Sequence, residues 1–431
     1  MPQLLRSSRG TRILPHATAI LIVLAAASPA GAQRPVARGR VKAGSESRKA
    51  ARTPHLNVSR INDPNTRDTV GPHAEGDAAV RAEILLDRLK FSPGEIGTAY
   101  NDNFAKAVAA FQAASGLPPM GSVDAPTWAA LNDDQITGHV QPAQQQPAPP
   151  TRGSSAGPQQ QNTQQTSPSG GQPNAQNTAP PARAQEGKLP PALISYTIVP
   201  EDVSGPFTKI PEVRGGENRG ERVMLREARF HQLNYASPLQ LLAEKFHSSP
   251  RLLVELNPGK DFKKEGEQIQ VPNVLTPAPA QAGSVVVSAA THSVAALDPG
   301  GKILAFYPAT VGSEHDPLPV GNWTVKEIDH YPHFKYNPNL FWDSQDKRPR
   351  AVLAPGPRNP VGVVWIGLSK SHYGIHGTPQ PSLIGQTQSH GCIRLTNWDA
   401  AELAGMVKTG TPVLLEEGTA SPTPSQPASS R

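Results

Sequence analysis

The chain of 431 residues has a single cysteine, Cys392, so no disulfide can form within it. Aromatic residues make up only 5% of the sequence, against 47 Pro and 37 Gly. A chain so poor in large apolar side chains, with no collagen-like period, cannot bury a core along its whole length. Small folded modules separated by disordered linkers are expected. No apolar run is long enough to span a bilayer. The longest, AILIVLAAA over 19–27, follows Arg6, Arg9 and Arg12 and precedes Ala30-Gly31-Ala32. That order predicts a secretory signal over 1–32, cleaved before Gln33. Strong charge of one sign is also missing. The formal net charge is +6, and three of those charges are the N-terminal arginines. This gives no support to nucleic-acid binding and fits an exported protein working beside an anionic wall, peripheral to the membrane. An exported lone thiol is a liability unless it has a task, which makes Cys392 the first candidate for chemistry.

Along the chain, composition and periodicity mark the modules. Residues 33–77 are polar and read as a disordered arm. Over 78–132, Val80, Ile84, Leu85 and Leu89 recur at helical spacing, as do Phe104, Val108 and Phe111. FSPGEIG between them carries turn chemistry, and Asp124 to Thr127 caps a third helix ending near Leu131. The pieces LLDRLKFSPGEIG, KAVAAFQAASGL and SVDAPTWAAL resemble the type 1 peptidoglycan-binding domain, which implies a small three-helix bundle. Residues 133–190 are a Gln-, Pro- and Ser-rich linker.

Residues 191–275 fold again, from a strand at Tyr196-Thr-Ile198 through helical faces at 239–246 and 252–256 to a strand at 269–271. SPLQLLAEKFHSSPRLLVELNPGKDFKKEGEQIQVP resembles a LysM module, a small α+β fold that binds glycan. About 30 residues are inserted between its first strand and first helix. Residues 283–417 alternate like strands, with a hairpin turn at Asp298-Pro-Gly-Gly301. Asn322–Val325 and Val363–Leu368 continue the strands, one convincing helix lies at Asp399–Val407, and a last strand at Val413–Leu415. This is a mostly-β domain, and the tail 418–431 reads as disordered.

Within the β domain, HYGIHGT (372–378) and SHGCIRL (389–395) bring together the groups that thiol chemistry needs. A free cysteine is mostly protonated at neutral pH, and a neighbouring imidazole can take its proton to form a thiolate–imidazolium pair. Gly391 lets the chain turn tightly with its amides exposed to a developing oxyanion. Arg394 adds a permanent positive charge that could lower the thiol or hold a substrate carboxylate.

His376-Gly377-Thr378, the 16-residue offset to Cys392 and SHGCIRL strongly resemble the YkuD-type L,D-transpeptidase signature. DPLPVGNWTV (316–325) and GPRNPVGVVWIGLS (356–369) match as well. The resemblance implies that Cys392 is the acylated nucleophile and His376 its general base. It implies that Gly377 orients the imidazole through its carbonyl, and that His390, Gly391 and Arg394 shape the oxyanion site. Stem peptides and glycan of peptidoglycan would be the partners, with no cofactor and no metal. Tyr373, Ser389, Tyr336 and Trp342 are candidate substrate contacts, the last two in the loop HYPHFKYNPNLFWDSQ.

Rival readings can be weighed on the residues. His372, His376, His390 and Cys392 are zinc-ligand types, but on a strand the first two would be about 13 Å apart. Asp316 and Asp343 have no carboxylate partner at glycosidase spacing. Within the acyl-transfer chemistry, the acceptor could be a stem-peptide amine, water or a lipoprotein amine. A non-catalytic wall-binding scaffold is the alternative of another class.

Overall fold

A computed structural model describes residues 56–136, 189–211, 219–277, 280–340, 350–387, 389 and 391–417. The expected signal, most of the arm and linker, the tail, Trp342 and His390 lie outside them.

The first module holds four helices: α1 (Val58–Asn62), α2 (Asp77–Arg88), α3 (Asp102–Ala114) and α4 (Ala125–Ile136). The periodic positions form its core, with Ile84, Leu85, Phe104, Val108, Phe111, Trp128 and Leu131 almost fully buried. Asn101 caps α3 through its side chain on the Phe104 amide, and Asp124 caps the Thr127 amide at 3.0 Å. The expectation of a disordered arm to residue 77 is corrected here. Leu56, Ile61 and Val70 are buried, because α1 lays Leu56 and Ile61 against Val80, Ile84 and Ile96. An extra helix carrying few apolar residues gave too weak a periodicity to be read.

The second module runs β1 (Leu193–Thr197), α5 (Pro200–Val203), α6 (Arg219–Glu227), α7 (Pro238–Lys245), α8 (Pro250–Leu256) and β2 (Gln268–Pro272). β1 and β2 pair antiparallel over five residues. Ser237 and Ser249 cap α7 and α8, and Pro at the first helical position of each suits its φ.

The mostly-β domain is built on a nine-stranded mixed sheet, ordered β5-β4-β3-β13-β7-β10-β11-β12-β6. Its strands are β3 (Ser284–Ser288), β4 (Ser293–Leu297), β5 (Ile303–Pro308), β6 (Thr310–Val311), β7 (Gly321–His330), β10 (Val364–Leu368), β11 (Gly374–His376), β12 (Ile393–Arg394) and β13 (Pro412–Glu416). β8 (Phe334–Tyr336) and β9 (Ala351–Leu353) form a separate pair. The single long helix among the described residues of the domain, α9 (Asn397–Met406), packs on the sheet. β5 and β6 stand at opposite edges, yet only Ala309 separates them in sequence. The sheet must therefore curl until its edges approach, around a core that includes Val285, Val294, Ile366, Ile375, Ile393 and Leu403.

The three modules share surfaces rather than hanging apart. FSPGEIG, expected as a plain turn, is the hub. Phe91 bridges to Phe306 of β5, with Ser92 N–H donating to Phe306 O at 2.9 Å and Phe306 N–H to Lys90 O at 2.8 Å. This covers the open edge of β5. The Phe306 side chain completes the helical module's core, a burial worth about 1.5–3 kcal/mol. Five residues on, Ile96 exchanges backbone hydrogen bonds with the α7–α8 turn.

The inserted stretch of the second module docks on the β domain. Leu233 N–H donates to Pro355 O, Arg358 N–H donates to Leu233 O, and the Arg358 guanidinium reaches Thr208 O at 2.9 Å. A methyl group on Gly356 would lie 2.3 Å from Leu233 O, so only glycine fits this approach.

Candidate active site

Parallel pairing of β11 with β12 builds the centre of the site. The register sets Ile375 opposite Ile393 and His376 opposite Arg394. Side chains alternate along a strand, so His376 and Arg394 share a face, and Cys392, two residues before Arg394, continues it. Across adjacent strands that diagonal is about 8 Å between Cα atoms, within side-chain reach.

The imidazole is held by hydrogen bonding and stacking. His376 is buried, and its Nδ1 lies 2.7 Å from Gly377 O. A carbonyl can only accept, so Nδ1 carries the proton and Nε2 is the free acceptor nitrogen. Trp365 sits opposite His376 in the β10–β11 ladder. Its ring stacks on the imidazole with centroids 5.6 Å apart and planes inclined by 22°. A methyl on Gly374 would meet the Trp365 ring at 2.6 Å, so glycine there lets the indole lie flat.

The thiol is placed by a tight turn. Ser389 Oγ donates to Cys392 O at 2.6 Å, and Ser389 N–H to Gly312 O at 2.9 Å. Gly391 has φ +91°, and a methyl there would lie 2.8 Å from the Tyr373 ring. Cys392 is half-buried, and its thiol points to the carbonyl of His372 at 3.7 Å.

Electrostatics favours neutral partners at rest. Burial holds His376 down to about 3; Arg394 adds to this, and the hydrogen bond to Gly377 opposes it. Burial likewise pushes the Cys392 thiol up, opposed by the Gly374 amide and Arg394 and reinforced by Asp316. Burial therefore works against the expected thiolate–imidazolium pair from both sides. The sequence reading credited the imidazole with stabilising charge and left out the cost of burying it.

The other expected site residues divide. Tyr373 lines the turn beside Gly391, and its hydroxyl is pushed up by burial and by the nearby Asp316 and Cys392. Ser389 is buried and spent on backbone hydrogen bonds, so as a substrate contact it is corrected to a turn-former. Tyr336 is corrected too. It is buried against Leu233 and Leu353 and packs the loop rather than lining a groove. His372 is an exposed turn residue at φ +69°. Among the described residues no group of three or more His, Cys, Asp and Glu side chains could hold a metal.

Two residues at the site were missed in the sequence, Trp365 and Asn397, and Asp316 was weighed there only as a glycosidase acid. Asn397 is buried. Its Oδ1 accepts from Val363 N at 3.2 Å, and its Nδ2 donates to Pro357 O at 3.0 Å and Glu244 Oε1 at 2.9 Å. The available signals were the aromatic in VVWIGL facing a glycine of HYGIHG, and Asn at the start of the helix after SHGCIRL.

Residues 282–415 match the family model of the L,D-transpeptidase catalytic domain, YkuD, and residues 75–131 that of the peptidoglycan-binding domain PG_binding_1. The chain carries a YkuD-type L,D-transpeptidase catalytic domain. A cysteine-dependent acyltransferase fold is thus joined to a peptidoglycan-binding domain. The L,D-transpeptidase YkuD of Bacillus licheniformis is 29% identical over 187 residues, 42% of this chain and 96% of that protein. ErfK/SrfK of Escherichia coli, also named as an L,D-transpeptidase, is 30% identical over 182 residues, 41% of this chain and 58% of that protein. A solved structure of Mycobacterium tuberculosis L,D-transpeptidase 3 with a faropenem-derived adduct is 19% identical, with a TM-score of 0.26, covering 36% of this chain and 75% of that one.

Proposed function

We propose that this L,D-transpeptidase domain joins peptidoglycan stem peptides through a thioester on Cys392, linking the third residue of one stem to the third residue of another. The observation that carries the reading is the shared face of His376 on β11, Arg394 on β12 and Cys392 at the entry to β12, with Nδ1 anchored on Gly377 O.

In the first step the Cys392 sulfur attacks the carbonyl of residue three of a tetrapeptide stem, and its proton passes to Nε2 of His376. Attack and proton transfer are coupled, because neither charge is stable alone in the buried site. The tetrahedral intermediate then expels terminal D-Ala, whose nitrogen takes the proton back from Nε2, and a thioester remains. In the second step a stem-peptide amine attacks the thioester and gives a proton to Nε2. The C–S bond breaks, and the sulfur is reprotonated. The amide energy is kept in the thioester, so no cofactor or metal is required. Arg394 suppresses imidazolium formation in the free site. A donor carboxylate brought to its guanidinium would offset that charge and make Nε2 a stronger base once substrate is bound. Gly391 belongs to the turn where the oxyanion would form and Tyr373 to its wall, and the family resemblance extends the oxyanion site to His390.

With α5 and α6 set aside as preceding the paired helices, the order β1-α7-α8-β2 and the β1–β2 pairing support a LysM-like reading of 191–275, with its insertion spent on docking. Glycan binding, export to the wall and the module boundaries belong to the same proposal.

Incubating purified tetrapeptide muropeptides with the protein tests it. Cross-linked dimers are expected, and Cys392→Ala should yield none. Tripeptides alone would make the enzyme an L,D-carboxypeptidase, and dimers formed by Cys392→Ala would overturn the nucleophile.

A further inference from the structure

Helix α7 of the second module ends its docking surface on the back wall of the catalytic site. Glu244 lies within α7. Its Oε1 accepts from Tyr235 OH at 3.0 Å and from Asn397 Nδ2 at 2.9 Å. The tie fixes which way the Asn397 amide points together with Pro357 O, which takes the other Nδ2 hydrogen at 3.0 Å, since two acceptors on one side must receive the NH2 end. The oxygen end is thereby turned to the opposite side, where Val363 N–H meets it. There Oδ1 presses on two glycines. A methyl on Gly362 would lie 2.0 Å from it, and one on Gly377 2.2 Å. Gly377 is the residue whose carbonyl receives the His376 Nδ1 proton. A continuous line of contacts thus runs from the second module through Asn397 and Gly377 to the imidazole.

We propose that Glu244 is a positioning residue for His376, acting through Asn397 and the Gly377 carbonyl, so that the second module completes the catalytic domain instead of only delivering it to substrate. The inference rests on His376 being the base in the reaction proposed above. Glu244 lies outside the YkuD match at 282–415, so the domain borrows this support from elsewhere in the chain. Burial raises the Glu244 carboxyl to about 7. Either protonation state keeps an acceptor oxygen for Asn397, which predicts that glutamine can replace it.

The test uses the full chain and three variants: Glu244→Met, which keeps volume without an acceptor; Glu244→Gln, which keeps the acceptor; and Tyr235→Phe, which removes one donor to Oε1. Steady-state turnover of a tetrapeptide donor is measured with carbapenem acylation of Cys392, normalised to titrated thiol, in both the native and the His376→Ala background. Glu244→Met is expected to lower kcat about tenfold with donor KM within about twofold, since a small displacement of a catalytic group costs rate rather than affinity. Glu244→Gln should stay within about twofold of the parent. In the His376→Ala background, Glu244→Met should change residual acylation less than about twofold, because the residue it supports is gone. Parental turnover in Glu244→Met, a Gln variant as slow as the Met variant, or the same tenfold loss without His376 would each overturn the proposal. If Glu244→Met does not fold, Tyr235→Phe decides, with about a threefold loss expected that disappears without His376. Parental turnover in His376→Ala alone would instead overturn the base assignment, a separate failure.

Discussion

A pH profile of Cys392 acylation discriminates between the site as folded and a thiol–imidazole pair of ordinary groups. If His376 titrated near its usual value of about 6.5, only about 3% of it would be neutral at pH 5, against about three quarters at pH 7. A step that needs neutral Nε2 would then slow about 25-fold between those values. The folded site instead holds His376 down to about 3. More than about nine tenths of it then stays neutral at pH 5, and the rate should change by less than about twofold. Stopped-flow quenching of tryptophan fluorescence on mixing with a carbapenem reads the step, with Trp365 stacked on the imidazole as a natural reporter. Circular dichroism over the same range is the needed control. The unfolded imidazole binds a proton near 6.5 and the folded one only near 3. Its contribution to stability is therefore full above 6.5 and drains away as pH falls towards 3. An acid limb centred between pH 6 and 7 in folded enzyme would refute the argument that burial dominates this histidine.

Three further outcomes follow from single contacts. Gly377→Ala puts a methyl 2.2 Å from Asn397 Oδ1; it should cost about 1–3 kcal/mol of stability and about 100-fold in acylation rate, read by thermal melting and stopped flow. Asn103→Ala removes the hydrogen bond from the helical module to Ile384 O at 2.8 Å, in the loop leading to Cys392. It should slow acylation about threefold to tenfold while costing about 1 kcal/mol of stability. Glu83 is buried, accepts from Gly97 N–H at 2.6 Å and is raised by burial to about 8. Its contribution is full below about 4.5 and lost as pH rises through 8, so Glu83→Gln should raise the melting temperature at pH 9 and leave it little changed at pH 5.

Much of this was legible in the sequence because local rules and tertiary needs agree. The hairpin around Asp298-Pro-Gly-Gly301 joins β4 and β5 where turn chemistry placed it, and β10, α9 and β13 stand within two residues of their expected spans. β7 was read only at 322–325 but runs to His330, because its outer half alternates polar residues that carry no hydrophobic signal. Asn397 and Glu244 were invisible for another reason. They are 153 positions apart, and each alone is an unremarkable polar residue on a helix. Only docking makes them a pair, and docking leaves no period in either segment. Trp365 was visible as part of a strand, but its role depends on which residue faces it across the ladder.

The docked arrangement changes what the accessory modules can be for. Modules strung on linkers would serve as wall-binding tethers, raising the local concentration of stems near Cys392. That role requires only that they be linked to the catalytic domain. Their contacts go further than a linker needs. One module covers the β5 edge through Phe91 and braces the Cys392 loop through Asn103. The other reaches Asn397 through Glu244. Buried polar contacts between domains are unfavourable unless fully partnered, and here their partners lie on both sides of each junction. Removing residues 56–275 would strip the partners of Lys90–Glu402, Ser92–Asp399 and Glu244–Asn397 at once. A tether could be cut without harm to turnover on soluble stem peptides. A brace could not, so the truncated catalytic domain is expected to lose activity on soluble muropeptides and intact sacculi alike, and undiminished turnover of soluble muropeptides by that truncation would return the modules to the role of tethers.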